Sequence, residues 1–329
     1  MEMTQTMKVV VLGTGATSGT LQTDGGVDGF VKRLKAAQPN WEQDYKELAR
    51  VVDDCEKKPE QLGLDRIWTR IDYYSKFKLI FGSDYGSKAA IQIRKAVADA
   101  YSFKNEIDQL CATDTDFTLK RVLRGLTAGD ALISFNWDTV AETILQHMLA
   151  QDGQELVQAP HPSASSHIRL IKPHGSLSWV HRSDAPVVFR NGSQPRLEQM
   201  TSDQIKEVSG GFVQPLLLGA VPIKSELLDE IQRGQAGLHE TVADQWREAL
   251  DVLSRATVVE VVGYRFPAED GYGRFILREA IRRRSPGSKL PTVRYYSLQC
   301  DRGEFEQAFR EVFGPDVNYE YLGEVLSAW

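Results

Sequence analysis

Cysteine is scarce in this chain of 329 residues: Cys55, Cys111 and Cys300 are odd in number and far apart. They build neither a disulfide framework nor the paired ligands of a structural zinc, and they read as buried or idle thiols. A large charge of one sign is also lacking. Against 39 Lys and Arg stand 45 Asp and Glu, a net charge of -6, so no whole-chain field draws the protein to nucleic acid or to anionic lipid. No run is apolar enough to span a bilayer. The opening "MEMTQTMKVVVLGTG" has neither the basic start nor the long apolar core of a secretory signal. The expectation is a cytoplasmic protein with no direct nucleic-acid partner and no membrane partner. Internal repeats and low-complexity tracts are absent.

What is present is ordinary globular material, 42% hydrophobic and 26% charged, enough to bury a substantial core. "MKVVVLGTGATSG" is a β-branched run that stops on glycines, the pattern of a buried strand turning into a loop that can approach phosphate. From Trp41 to Leu126 the texture turns helical, with apolar residues at helical spacing in "WEQDYKELARVVDDCEKK", "LDRIWTRIDYYSKFKLIF" and "KAAIQIRKAVADAYSFKNEIDQLC". Strand signals return in "DALISFN", "HIRLIKP", "APVVFR", "VQPLLLGA", "ATVVEVVGY" and "TVRYYSLQ", several separated by helical segments. Apolar strands alternating with helices predict an α/β fold, a Rossmann-like, mostly parallel sheet with helices on both faces. The chain reads as one domain over 1–329, with a helical insertion at about 41–127 and a smaller variable insertion at about 181–212. Trp68, Tyr73, Tyr74 and Phe77 lie in one helical segment of the first insertion, as packing residues or as interface aromatics.

Chemistry-bearing residues gather where predicted strands end. Around Gly13 and Gly15 the backbone amides can approach a pyrophosphate, or the glycines can simply make a tight turn. A Rossmann fingerprint would want glycine where Ser18 stands and a prompt second strand ending in an acid, which argues against an ordinary nicotinamide dehydrogenase. In "LISFNWDTVAE" Asp138 can be a helix N-cap. Capping does not account for Asn136, a carboxamide that both donates and accepts at the end of an apolar strand. His174 occupies the next comparable strand end, on a Pro-His-Gly corner, whereas His147, His161, His167, His181 and His239 lack such a setting. Gly263 ends a further strand, where it can admit a nucleotide or make a turn. Asp270 caps the following helix or meets a ligand. The cations Arg282, Arg283 and Arg284 are explained by a helix C-terminus.

In this order along the chain, "VLGTGATSG", "ISFNWDTVAE", "IKPHGSLSW", "QPLLLGAVPIKS" and "VVGYRFPAED" resemble the sirtuin-like NAD-binding family, in particular its prokaryotic antiphage-defence branch rather than the protein deacetylases. The resemblance implies NAD as substrate and no metal. It implies that Gly13, Thr14, Gly15 and Ala16 cradle the pyrophosphate, with Gly263 and Tyr264 beside the adenosine half. Asn136 would position the nicotinamide ribose or the attacking water, Asp138 would hold the carboxamide end, and His174 would be the general base or orient the ribose. The chain departs from the family's pattern in lacking the paired cysteines, in running into "TLQTDGG" where an Ile-Pro-Asp-Phe-Arg-like stretch is usual, and in placing Arg265 after the Gly-Tyr pair.

The implied activity is hydrolysis of NAD to nicotinamide and ADP-ribose by a defence effector, held in check by a partner or by self-assembly into a homo-oligomer. An alternative is a non-catalytic module that senses NAD or ADP-ribose and regulates a partner such as an ATPase, a helicase or an Argonaute protein. Transfer of ADP-ribose to a protein would use the same site with a side chain in place of water.

Overall fold

The structure is a computed structural model. It describes residues 6–21, 29–55, 63–76, 85–112, 115–159, 166–182, 185–189, 201–208, 211–217, 236–268, 270–285, 287–297 and 302–325. Eleven strands occur among them: β1 (Lys8–Leu12), β2 (Ala131–Ser134), β3 (Leu156–Gln158), β4 (Ile168–Ile171), β5 (Gly175–Arg182), β6 (Ala185–Phe189), β7 (Lys206–Val208), β8 (Gly211–Leu217), β9 (Val258–Val262), β10 (Thr292–Ser297) and β11 (Tyr319–Glu324). Seven of them form a parallel sheet in the order β11-β10-β9-β1-β2-β4-β3. The fold class is therefore the Rossmann-like α/β arrangement that the strand and helix alternation predicts.

Period-two alternation assigns each strand residue to one of two cores. Val9 and Val11 of β1, Val259 and Val261 of β9, and Val293 and Tyr295 of β10 point toward the helices Ala236–Arg255, Gly271–Arg282 and Arg302–Phe313. Val10 and Leu12, Leu132 of β2, and Ile168 and Leu170 of β4 point the other way. That second core is closed by helices lying between β1 and β2, including Phe30–Ala37, Lys46–Asp53, Leu64–Lys76 and Tyr85–Ala100, and by Val140–Gln151. Trp68 is buried there with its ring 5.4 Å from Trp137, so it serves packing. Tyr73 is 52% exposed, and Phe77 lies outside the described residues.

Two of the predicted strands, in "APVVFR" and "VQPLLLGA", leave the parallel sheet. They are β6 and β8 of a separate antiparallel sheet in the order β6-β5-β8-β7. Two residues separate β5 from β6, and two separate β7 from β8, far too few for the crossover that a parallel pair needs. The corner between the sheets is Lys172–Gly175. Here the chain leaves β4, the Gly175 amide donates to the Lys172 carbonyl at 3.0 Å, and Gly175 turns with φ 82° into β5.

The order of the large sheet reverses at β1. From β1 the chain passes to β2 on one side, and after β4 it returns to β9 on the other, so the β1/β9 boundary is a topological switch point. At the carboxyl ends of these two strands the backbones touch. The Gly13 amide donates to Val262 O at 3.1 Å and the Gly15 amide to Gly263 O at 2.9 Å. A Cβ on Gly263, whose φ is +62°, would stand 2.1 Å from the Ala16 nitrogen.

Gly263→Ala is expected to cost roughly 3 kcal/mol or more, because backbone must give way on both sides. Gly153→Ala is its control: φ is +67° there, but nothing lies within 4 Å of the new methyl, leaving only the conformational cost of about 1–2 kcal/mol. Denaturant unfolding compares the two, and equal losses would show that the strand-end contact is not the constraint described.

Candidate functional site

The carboxyl ends of β9, β1, β2 and β4 lie side by side, and they carry Gly263, Gly13, Asn136 and His174. β2 pairs with β4 through Ile133 and Ile171, and Asn136 and His174 are each three residues further on, at the same level of neighbouring strand ends. Each reaches a different side of the sheet.

Asn136 is 3% exposed and turns toward the helix Thr14–Leu21. Its Nδ2 donates to Gly13 O at 3.0 Å and to Thr17 Oγ1 at 3.2 Å. Its Oδ1 is buried and has no hydrogen-bond partner among the described residues. The Thr17 hydroxyl lies 3.2 and 3.1 Å from the two oxygens of Asp138, to which it donates. Asp138 Oδ1 also accepts from the Val140 amide at 3.0 Å. The helix N-cap is thus Thr139, one residue later than sequence suggests, and Asp138 caps from just outside.

Beneath Asp138 lies a buried charge network. Lys172 Nζ donates to the Asp138 carbonyl at 2.6 Å and forms an ion pair with Glu142. Lys172 and Glu142 are fully buried, and Glu142 Oε2 has no hydrogen-bond partner among the described residues. Burial raises the pKa of both carboxyl groups above the usual range, while Lys172 draws each back down. Gln245 fixes the same corner by accepting from the Lys172 amide at 2.9 Å and from Gln158 Nε2 at 3.0 Å.

His174 belongs to the opposite face. Its ring packs 5.0 Å from Phe135 and 5.7 Å from Trp246, and Phe135 stacks on Tyr264 at 4.7 Å. Its Nε2 lies 3.2 Å from Asp270 Oδ1, with both side chains largely buried. Asp270 is the N-cap of Gly271–Arg282, accepting from Gly273 N at 3.1 Å, and its Oδ2 accepts from Tyr264 OH at 2.7 Å. Burial and the neighbouring Asp270 push the Tyr264 hydroxyl well above its ordinary pKa. The Trp137 indole donates to His174 O at 3.1 Å and links the two strand-end loops.

In the glycine loop the backbone meets β9. The amides of Gly13, Gly15 and Ala16 already donate to Val262 O, Gly263 O and Gly13 O, so these glycines serve the close approach of two backbones. Thr14, by contrast, is exposed at the start of its helix. The Tyr264 side chain is buried and engaged with Asp270 and Phe135. Sequence reasoning missed Thr17, Glu142, Lys172 and Gln245 as parts of the site. Their signal was slight: a hydroxyl one turn beyond Gly13 for Thr17, and charges beside apolar runs for Glu142 and Lys172, while Gln245 in the polar stretch "VADQWREAL" gave none.

No family model matches the chain, and no curated protein matches it. Among solved structures, Sir2Tm bound to a propionylated peptide is similar at 11% identity and a TM-score of 0.39, over 97% of this chain and 88% of that one. A complex of a Sir2 homologue with NAD is similar at 13% identity and a TM-score of 0.38, over 97% of this chain and 84% of that one. Sir2 bound to an acetylated peptide follows at 12% identity and a TM-score of 0.36, over 96% and 87%. At these values the likeness assigns neither ligand nor activity.

Lys172→Met strands Glu142 as an uncompensated buried charge and is expected to cost about 3–5 kcal/mol at neutral pH. The raised pKa gives the sign of the pH dependence. A folded state that binds the Glu142 proton more tightly than the unfolded chain loses stability as pH rises from the ordinary carboxylate range toward the folded value. The deficit of Lys172→Met relative to wild type should therefore shrink as pH falls. Urea midpoints at pH 5 and pH 8 measure it, and a pH-independent deficit would contradict the charge account.

Proposed function

We propose that this chain hydrolyses NAD, breaking the bond between nicotinamide and ribose to give nicotinamide and ADP-ribose. The observation that carries the reading is the Asn136 carboxamide. Its Nδ2 is tied to Gly13 O and Thr17, while its Oδ1 is buried with no donor among the described residues. A buried carbonyl oxygen without a donor costs free energy, and a ribose hydroxyl or a water molecule would remove that cost. The position, beside the switch point of an open parallel sheet, is where such folds take ligands.

The chemistry asks little more of the protein. The pyridinium becomes neutral as it leaves, so the site has to stabilise an oxocarbenium-like carbon and present water to it. The C–N electron pair goes to nicotinamide, a C–O bond forms to water, and the water proton passes to a base before reaching solvent. Asn136 orients water and ribose hydroxyls, Thr17 and Asp138 hold Asn136 in place, and His174 accepts the proton. Thr14 at the exposed helix start faces the diphosphate, with Gly263 admitting the backbone close beside it. No step needs a metal.

An unregulated enzyme of this kind would exhaust its own cell, which suits an antiphage effector that a partner or self-assembly releases. Incubation with NAD over a range of protein concentrations, with nicotinamide followed by chromatography, tests the proposal. Wild type should release nicotinamide, and Asn136→Ala and His174→Ala should each lower the rate by about 100-fold or more. NAD that binds but stays intact at every concentration would sink hydrolysis and favour a sensing module. Mass added to the protein itself would point to ADP-ribosyl transfer.

A further inference from the structure

We propose that Asp270 is the positioning residue of His174, a fixed anion that holds the imidazole at the strand end and stabilises it once it has taken a proton. The inference rests on the hydrolysis reading for its kinetic readout only.

Asp270 is held without any help from the histidine. Oδ1 accepts from Gly273 N at 3.1 Å at the start of Gly271–Arg282, and Oδ2 accepts from Tyr264 OH at 2.7 Å. Both donors and the positive end of the helix favour the ionised carboxylate. The fit is close: a Cβ on Gly273 would stand 2.3 Å from the Tyr264 hydroxyl oxygen and 2.5 Å from Asp270 Oδ2. His174 Nε2 then lies 3.2 Å from Oδ1. The ring faces this carboxylate from between two neutral surfaces, Phe135 at the end of β2 and Trp246 of Ala236–Arg255. Of the ionisable groups on these packed elements, Asp270 is in contact with the ring. Tyr264 bonds to Asp270, Arg274 pairs with Glu311, and Lys172 is turned toward Glu142 and Asp138.

Helix capping alone would explain the Gly273 bond but not a histidine brought against the same oxygen. An anion 3.2 Å from Nε2 favours the imidazolium form of the ring over the neutral one.

Asp270→Asn separates the two roles, because asparagine caps helices as well as aspartate does but carries no charge. Asp270→Ser is a second neutral cap for the same comparison. Nitrogen-labelled imidazole is titrated by NMR in wild type and both variants, with the His174 signal identified by its loss in His174→Gln. The expected result is a His174 midpoint lower by about one pH unit in the neutral variants. The acidic limb of nicotinamide release should move down in parallel, and kcat should change more than KM. An unchanged midpoint would overturn the proposal. A lowered midpoint in a protein that releases no nicotinamide would uphold the pairing while rejecting hydrolysis.

Discussion

Where β1 and β9 end, two backbones meet with no side chain between them, and both halves of the candidate site are built outward from that contact. Gly13 and Gly15 donate to Val262 O and Gly263 O, and a Cβ on Gly263 would collide with the Ala16 nitrogen. This seats the first helix, whose Thr17 then reaches Asn136 and Asp138. It also fixes the departure of the chain from β9, which carries Tyr264 to its stack on Phe135 and its bond to Asp270. The glycines in the loop are needed by the protein's own backbone, whatever ligand the loop faces.

The polar layer beneath the site joins elements that the sheet's backbone pairing leaves apart. Taking Lys172, Glu142 and Asp138 out of water carries a desolvation cost that works against their mutual attraction, which makes a buried ion pair weak evidence of stability. What the network supplies is position. Lys172 grips the Asp138 carbonyl, Gln245 grips the Lys172 amide, and both lie at the corner where the chain passes from one sheet to the other. The β4 end is thereby fastened to the β2 end through side chains, just past the last backbone pairing at Ile133 and Ile171.

Sequence reading recovered the parts of this structure that repeat. β1, β2, β4, β9 and β10 are apolar and β-branched, and they carried the α/β prediction. β3, β7 and β11 escaped because they are short or lie at sheet edges with polar faces, and β5 because serines interrupt its apolar residues; β6 and β8 were read as strands but placed in the wrong sheet, since strand propensity says nothing of pairing partner. At the site, Asn136, Asp138 and His174 stood out because polar residues interrupted apolar runs. Thr17, Lys172 and Glu142 matter through contacts between residues up to 121 positions apart, which no local pattern encodes. Asp270 was legible as a cap, and its contact with His174 depends on how β4 and β9 flank β1 and β2.

Alternation along the end of β2 explains why the site has two characters. Phe135 and Asn136 are consecutive, so their side chains leave the strand on opposite faces. Phe135 joins an aromatic group with His174, Trp246 and Tyr264, and Tyr272 packs 6.0 Å from Trp246. Asn136 joins the hydroxyl and carboxylate group of Thr17 and Asp138. Both groups are closely packed, with Phe135, Tyr264, Trp246 and Asn136 all buried, so the end of β2 is fixed from two sides by contacts of different kinds.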